Sequence, residues 1–333
     1  MQNSYLVAMK FLKQLLGWIS LFFLTNLVSA TCFAWGFYAH QQINRHAVFA
    51  LPPELFGFYK RNIEYLTEHA VDPDKRRYLV EGEGVKHFMD MDHFEQVLPF
   101  DTMPRKYKDA CEKYSKDTIH AYGLVPWNIQ WMLQQLTEAF SKHDVPRVLK
   151  LSAELGHYVG DAHVPLHSTE NYNGQLSGQH GIHGFFETRL PELFFQQYDF
   201  FVGMASYLDE PLSSAWKAVE ESFACLPKVF NFEKEVQASI PEADKFSYVL
   251  KNNQQLRVYS VAISEAYHQK LEGMIESRLQ AAILSVASFW YTAWVDAGQP
   301  NIKDWQEATL LKVVSDSLSK QLPTKMLGRD EGE

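Results

Sequence analysis

The stretch that decides the reading runs Asp144-Val-Pro146-Arg-Val148-Leu149-Lys-Leu151-Ser-Ala-Glu-Leu155-Gly-His157-Tyr-Val-Gly-Asp161-Ala-His163-Val-Pro165-Leu-His167. Asp144 is a favoured residue just before a helix, and Pro146 suits a first turn. Val148, Leu149, Leu151 and Leu155 then recur near helical period. On that helix His157 and Asp161 are four apart, so they share a face one turn from each other. An imidazole and a carboxylate so placed can reach one ion. Pro165 cannot continue the helix and pushes Val164 toward extended geometry. His167 therefore sits past the helix end and can point elsewhere, toward a different ion.

Similar periods extend to both sides. Residues 53–69 carry Leu55, Phe58, Tyr59, Ile63 and Leu66 at close to helical spacing. Residues 126–142 open on Pro126 and run through Ile129, Met132, Leu133, Leu136 and Phe140. Residues 256–297 read as a long final helical region with a break at Gly273. Strand signals are scarce. Residues 70–105 and 168–182 read as irregular, the second as a Gly- and Asn-rich loop. The expectation is an all-α protein, a single multi-helix domain with its irregular segments beside the ligating residues.

Composition permits this. The 333 residues are 46% hydrophobic and 14% aromatic, enough for one large core or two modest ones. Residues 1–34 read as a signal peptide: Lys10 and Lys13 open it, an apolar stretch runs from Leu15 to Val28, and Thr31-Cys32-Phe33-Ala34 offers a cleavage site. A retained membrane anchor is the alternative, but the apolar run is short of the about 20 residues that a span takes. Cleavage after Ala34 would leave residues 35–333 as an exported domain, periplasmic or secreted, starting at Trp35. The formal charge is -9, and without Lys10 and Lys13 it would be -11. That balance does not suggest a basic surface that grips duplex DNA, although bound metal ions add local positive charge. Cys32 would leave with the signal; Cys111 and Cys225 remain and can pair in an oxidising compartment.

Sixteen residues past His167, His183 and Glu187 repeat the four-residue step, with Gly181 and Gly184 permitting a tight turn into the helix. Neutral imidazole and carboxylate are ordinary zinc ligands. A single such pair is usually a surface ion pair or a satisfied core group. Two pairs plus an intervening histidine within 31 residues favour metal binding. His163 is the member best read as orienting a ligand rather than being one. Upstream stand Trp35-Gly-Phe-Tyr-Ala-His40 and Asp72…His87, the latter in His87-Phe-Met-Asp90-Met-Asp92-His93. A free α-amine and its own carbonyl can chelate one metal, and His40 can complete that grip. Asp90, Asp92 and His93 also read as solvated loop residues.

In order, these residues resemble the superfamily of bacterial zinc-dependent phospholipases C and single-strand-specific zinc nucleases. Its members begin the processed chain with Trp and share a His, then Asp…His, then His-x3-Asp-x5-His, then His-x3-Asp or Glu. The resemblance runs from Trp35 to Glu187 and implies three zinc sites. One zinc would take Asp72, His87, His157 and Asp161. Another would take the Trp35 amine and carbonyl, His40 and Asp161, with Asp161 bridging the two. A more open zinc would take His167, His183 and Glu187. A water between the bridged ions would be the nucleophile, with Asp72 as the catalytic group that orients it or takes its proton. The implied substrate is a phosphodiester, either a phospholipid with transient lipid contact or a single-stranded nucleic acid. Glu at position 187 and the short interval from His167 are phospholipase-like, whereas the five-residue step from Trp35 to His40 is nuclease-like. Residues 36–39 lack the acid that choline-preferring phospholipases carry there. Phe88 can stack a base or pack the core. A zinc-binding protein without catalysis is disfavoured, because every ligand position is filled.

Overall fold

The computed structural model describes residues 36–251, 254–303 and 305. The expected signal segment, its cleavage site and Trp35 lie outside the described residues.

The chain is mostly helical, as its periodicity predicts. Helix α1 (Phe37–Ala47) is followed by α2 (Pro53–Arg61), α3 (Ile63–Glu68) and the short α4 (Asp72–Arg76). Residues 53–69 are thus two helices rather than one, parted at Asn62, whose side-chain amide donates to the Phe58 carbonyl at 2.9 Å. After an irregular stretch come α5 (Tyr107–Tyr114), α6 (Lys116–Tyr122), α7 (Val125–Ser141) and α8 (Val145–Ala162). Asp144 caps α8 by accepting from the Arg147 amide at 3.2 Å. A short α9 (Ile182–Gly184) passes through a π-helical turn, Phe185–Arg189, into α10 (Leu190–Phe194). The long α11 (Pro211–Ser239) follows, then strands β1 (Phe246–Lys251) and β2 (Gln254–Tyr259), then α12 (Val261–Lys270) and α13 (Met274–Asp296).

The antiparallel β1–β2 pair corrects the reading of 256–297 as helical from its start. Leu256 and Val258 alternate with polar neighbours and pair across to Val249 and Ser247, a period of two that a helical window averages away. The expected break does fall at Gly273, where φ of 79° suits a residue without Cβ.

Helix α8 is central. Every residue from Leu151 to Ala162 is buried, between α7, α13, α1 and α3. Such a helix can keep polar side chains only if each finds a partner. The Ser152 hydroxyl pairs with Tyr59 Oη at 2.9 Å, and its main-chain carbonyl accepts from the Trp290 indole N–H at 2.9 Å. His157 and Asp161 lie on the same buried helix. Cys111 and Cys225 are both free. Among the described residues no helix is long and apolar enough to cross a membrane.

Candidate metal centre

Three groups of buried side chains converge where α8 meets α1, α4 and the α9–π turn: His40, His157 and Asp161; Asp74, His87 and His157; His167, His183 and Glu187. Ligand atoms 2.0–2.1 Å from a tetrahedral zinc lie about 3.3 Å from one another. The observed spacings cluster there. Asp161 Oδ2 is 3.2 Å from His157 Nε2 and 3.0 Å from His87 Nδ1. Asp74 Oδ1 is 3.5 Å from His157 Nε2 and 3.6 Å from His87 Nδ1. The other oxygen of Asp161 faces His40 Nε2 at 3.3 Å. In the third group His183 Nε2 stands 3.3 Å from His167 Nε2 and 3.0 Å from Glu187 Oε1. Asp161 thus turns one oxygen to each of two groups.

Backbone carbonyls aim the histidines. A carbonyl only accepts, so the ring nitrogen facing it carries the proton and the other keeps its lone pair. His157 Nδ1 donates to the Ala70 carbonyl at 2.9 Å, His167 Nδ1 to that of His87 at 2.6 Å, and His183 Nδ1 to that of Tyr172 at 3.0 Å. In all three the lone pair is left on Nε2, the atom turned into the group. His40 comes close because α8 lacks side chains where α1 crosses it. A Cβ on Gly160 would lie 3.1 Å from His40 Nδ1, and one on Gly156 would lie 2.0 Å from Asn44 Oδ1. Asn44 ties the crossing by donating to the carbonyls of Leu66 and Ala153 at 3.1 and 3.0 Å. The rings of His40 and His157 stack with centroids 3.9 Å apart.

Electrostatics keep these groups in the form a metal needs. Burial pushes His157 down to about 3 and lowers His87 as well, so both imidazoles are neutral near pH 7. Burial works against charge on Asp161 and Glu187, but the facing imidazoles outweigh it and hold both below the usual carboxylate range.

The structure brings together His40, His87, His157, Asp161, His167, His183 and Glu187. It does not bring Asp72 with them. The Asp72 carboxylate accepts from His69 Nδ1 at 2.5 Å and from Lys75 Nζ at 2.8 Å, on a half-buried outer face of α4. Asp74 stands in the centre instead. Two positions on a helix diverge by about 200°, so only one of the two acids can face inward. The flanking pattern held a hint, since Asp72 has basic partners three residues to either side. Trp35 lies outside the described residues. His163 is buried but absent from all three groups: its Nδ1 donates to the Val159 carbonyl at 2.7 Å. Asp92 and His93 lie in a 3-10 turn, Met91–His93, outside all three groups, and have protein partners. Asp92 accepts from the Thr169 hydroxyl at 2.6 Å and the Glu170 amide at 2.9 Å, and His93 stacks on Tyr122.

The donor set fits zinc. His40 Nε2, Asp161 Oδ1 and both oxygens of Glu187 are buried without a hydrogen bond among the described residues, although partners lie close. A buried polar atom left so costs about 1–3 kcal/mol, more when charged. Atoms aimed at a shared point rather than at each other are what a cation would satisfy.

Beside the centre lies a cavity of about 390 Å³ lined in part by Arg77, Glu81, Phe88, Asp90, Glu170 and Tyr172. Its wall neighbours the donor groups: Phe88 follows His87 in the chain, and the Tyr172 carbonyl accepts from His183 Nδ1 at 3.0 Å. Phe88 is buried at the cavity wall rather than displayed as an open stacking platform.

Residues 39–245 match the sequence profile of the zinc dependent phospholipase C family. Among solved structures, the alpha toxin from Clostridium absonum is similar at 13% identity and a TM-score of 0.44, over 78% of this chain. The chain spans 63% of the length of that toxin. No curated protein matches the chain.

Proposed function

The chain belongs to the zinc dependent phospholipase C family, and on that premise we propose that it is an exported hydrolase that cleaves phospholipid phosphodiesters with three zinc ions. The observation that carries this reading is the convergence of three buried donor groups at zinc-ligand spacing, with Asp161 turned to two of them.

In this reading residues 1–34 are removed as a signal peptide after Ala34, leaving residues 35–333 as one zinc-dependent domain. The freed amine and carbonyl of Trp35 would join His40 and Asp161. Gly36, next to Trp35 in sequence, packs near the donor groups: a Cβ on it would stand 2.8 Å from the side chain of Thr188, the residue after Glu187. Asp74, His87, His157 and Asp161 would hold a second ion, and His167, His183 and Glu187 a third.

Zinc, when bound, supplies a Lewis acid for phosphate oxygens and hydroxide near neutral pH. The protein supplies the rest. Asp161 would offer one oxygen to each of two ions. Asp74, rather than Asp72, would serve as ligand and as the carboxylate that orients a water. The cavity by Phe88 and Tyr172 would admit the substrate beside the His167–His183–Glu187 group.

The runner-up is a single-strand-specific nuclease, which the five-residue step from Trp35 to His40 favours. Processed, zinc-loaded protein assayed side by side on mixed phospholipids and single-stranded DNA decides between them. Release of phosphorylated head groups without DNA cleavage is expected. DNA cleavage alone would overturn the phospholipid reading, and zinc binding with no hydrolysis of any phosphodiester would overturn both.

A further inference from the structure

The β-hairpin is the feature that the metal centre leaves unexplained. Tyr248 and Leu250 are two apart on β1, so they share a face, and they are 65% and 77% exposed. Val249, Leu256 and Val258 occupy the other face, only half-buried. A two-stranded ribbon is marginal in water even when one face is polar, and this one carries apolar side chains on both. Its charge is distinctive. Residues 246–260 include Lys251 and Arg257 and no acid, in a chain of net charge -9; Lys245 at the root is instead paired with Glu242 at 3.0 Å.

The root of the hairpin is fixed. Tyr259 stacks on Phe185 with centroids 3.8 Å apart, and its carbonyl accepts from Arg189 Nε at 3.0 Å. Phe185 and Arg189 are the two ends of the π turn that carries Glu187. The exposed apolar ribbon therefore rises from the same turn that supplies a ligand of the open metal group.

We infer that this hairpin is a membrane-docking element that seats on an anionic phospholipid surface and holds the metal centre beside it, an inference that rests on the phospholipid reading above. Apolar side chains flanked by basic ones are what an interfacial element combines. Each basic residue near an anionic leaflet strengthens binding by about fivefold. A second copy of the chain suits the ribbon less, because it would bring two like-charged basic segments together. Single-stranded nucleic acid suits it less, because beside the exposed Tyr248 ring the face carries Leu250, on which no base can stack.

The test is sedimentation of the zinc-loaded, full-length processed protein with vesicles of phosphatidylcholine and phosphatidylserine. Wild type should bind. Tyr248→Ser with Leu250→Ser should weaken binding at least tenfold, and Arg257→Gln by about fivefold. Both variants should keep wild-type zinc content and wild-type hydrolysis of a soluble chromogenic phosphodiester, which shows that they fold. Wild-type vesicle binding by the double variant, or hairpin-dependent binding to single-stranded DNA with none to vesicles, would overturn the inference. Hairpin-dependent vesicle binding without phospholipid hydrolysis would support docking while the phospholipase reading fell.

Discussion

The Nδ1–H of His167 donates to the main-chain carbonyl of His87 at 2.6 Å, and the Met89 amide returns a bond to the His167 carbonyl at 2.9 Å. A candidate ligand of one group is therefore aimed by the backbone of a candidate ligand of another. These two groups share no donor but are joined in orientation, so disturbing one should loosen the other. Orienting partners of this kind are worth 10–100-fold in metal affinity.

In the proposed centre Asp161 faces two of the three groups. Asp161→Asn should lower zinc occupancy at the His40 side and the His87 side together, and should reduce phosphodiester hydrolysis by at least about a hundredfold. Elemental analysis alongside the assay checks this. Loss of one ion with activity retained would show that Asp161 serves a single site.

The two acids of α4 should behave oppositely. Asp74→Asn should cost zinc and nearly all activity. Asp72→Asn removes only half-exposed partners, His69 and Lys75, and should leave zinc content unchanged and activity within about twofold. Matched metal analysis of the two variants settles the assignment, and a dead, zinc-poor Asp72→Asn protein would restore Asp72 to the centre.

That pair marks how far the sequence could be read. The helical class and the turn that sends His167 away from α8 were legible, because period, caps and proline act locally. So was the four-residue step from His157 to Asp161. The choice between Asp72 and Asp74 was not, since it depends on the rotation of a five-residue helix set by what packs behind it. The two faces of the hairpin were missed because six-residue strands beside long helices barely register in a helical window. Nothing in the sequence marks Gly156 and Gly160, and only the crossing of α1 shows why a Cβ is absent there.

Gly156 gives a test with a reversed sign. In an exposed helix Gly→Ala stabilises by roughly 1 kcal/mol. Here the new methyl would meet Asn44 Oδ1 at 2.0 Å, so Gly156→Ala should destabilise by about 1–3 kcal/mol. A denaturant midpoint at or above wild type would mean that the helices part without cost.

Acid should unfold the metal-free protein through its histidines. His157 and His163 are pushed down to about 3, each first by burial, with Arg278 adding to the effect at His163. Between about pH 6.5 and 3 the unfolded chain binds protons that these side chains refuse when folded. Stability is then complete above pH 6.5 and falls as the pH drops through that window. The depressed carboxylates of Asp161 and Glu187 act in the same direction at lower pH. The urea midpoint of metal-free protein should be lower at pH 5 than at pH 7. His163→Gln should flatten that slope without changing zinc content, because His163 lies outside the three groups. Equal midpoints at the two pH values would refute the account.

The crossing of α1 over α8 also sets when the centre comes into being. The bond from Asn44 to the Ala153 carbonyl closes a sequence separation of 109 residues, and such contacts form only after much chain entropy has been lost. Helices α7 and α8, close in sequence, can pair early; the cage around Asp161 waits for α1 to arrive. On refolding, zinc uptake should therefore lag behind the recovery of helical signal. A chain caught before that step would be collapsed and largely helical, with no shared point for its histidines to face.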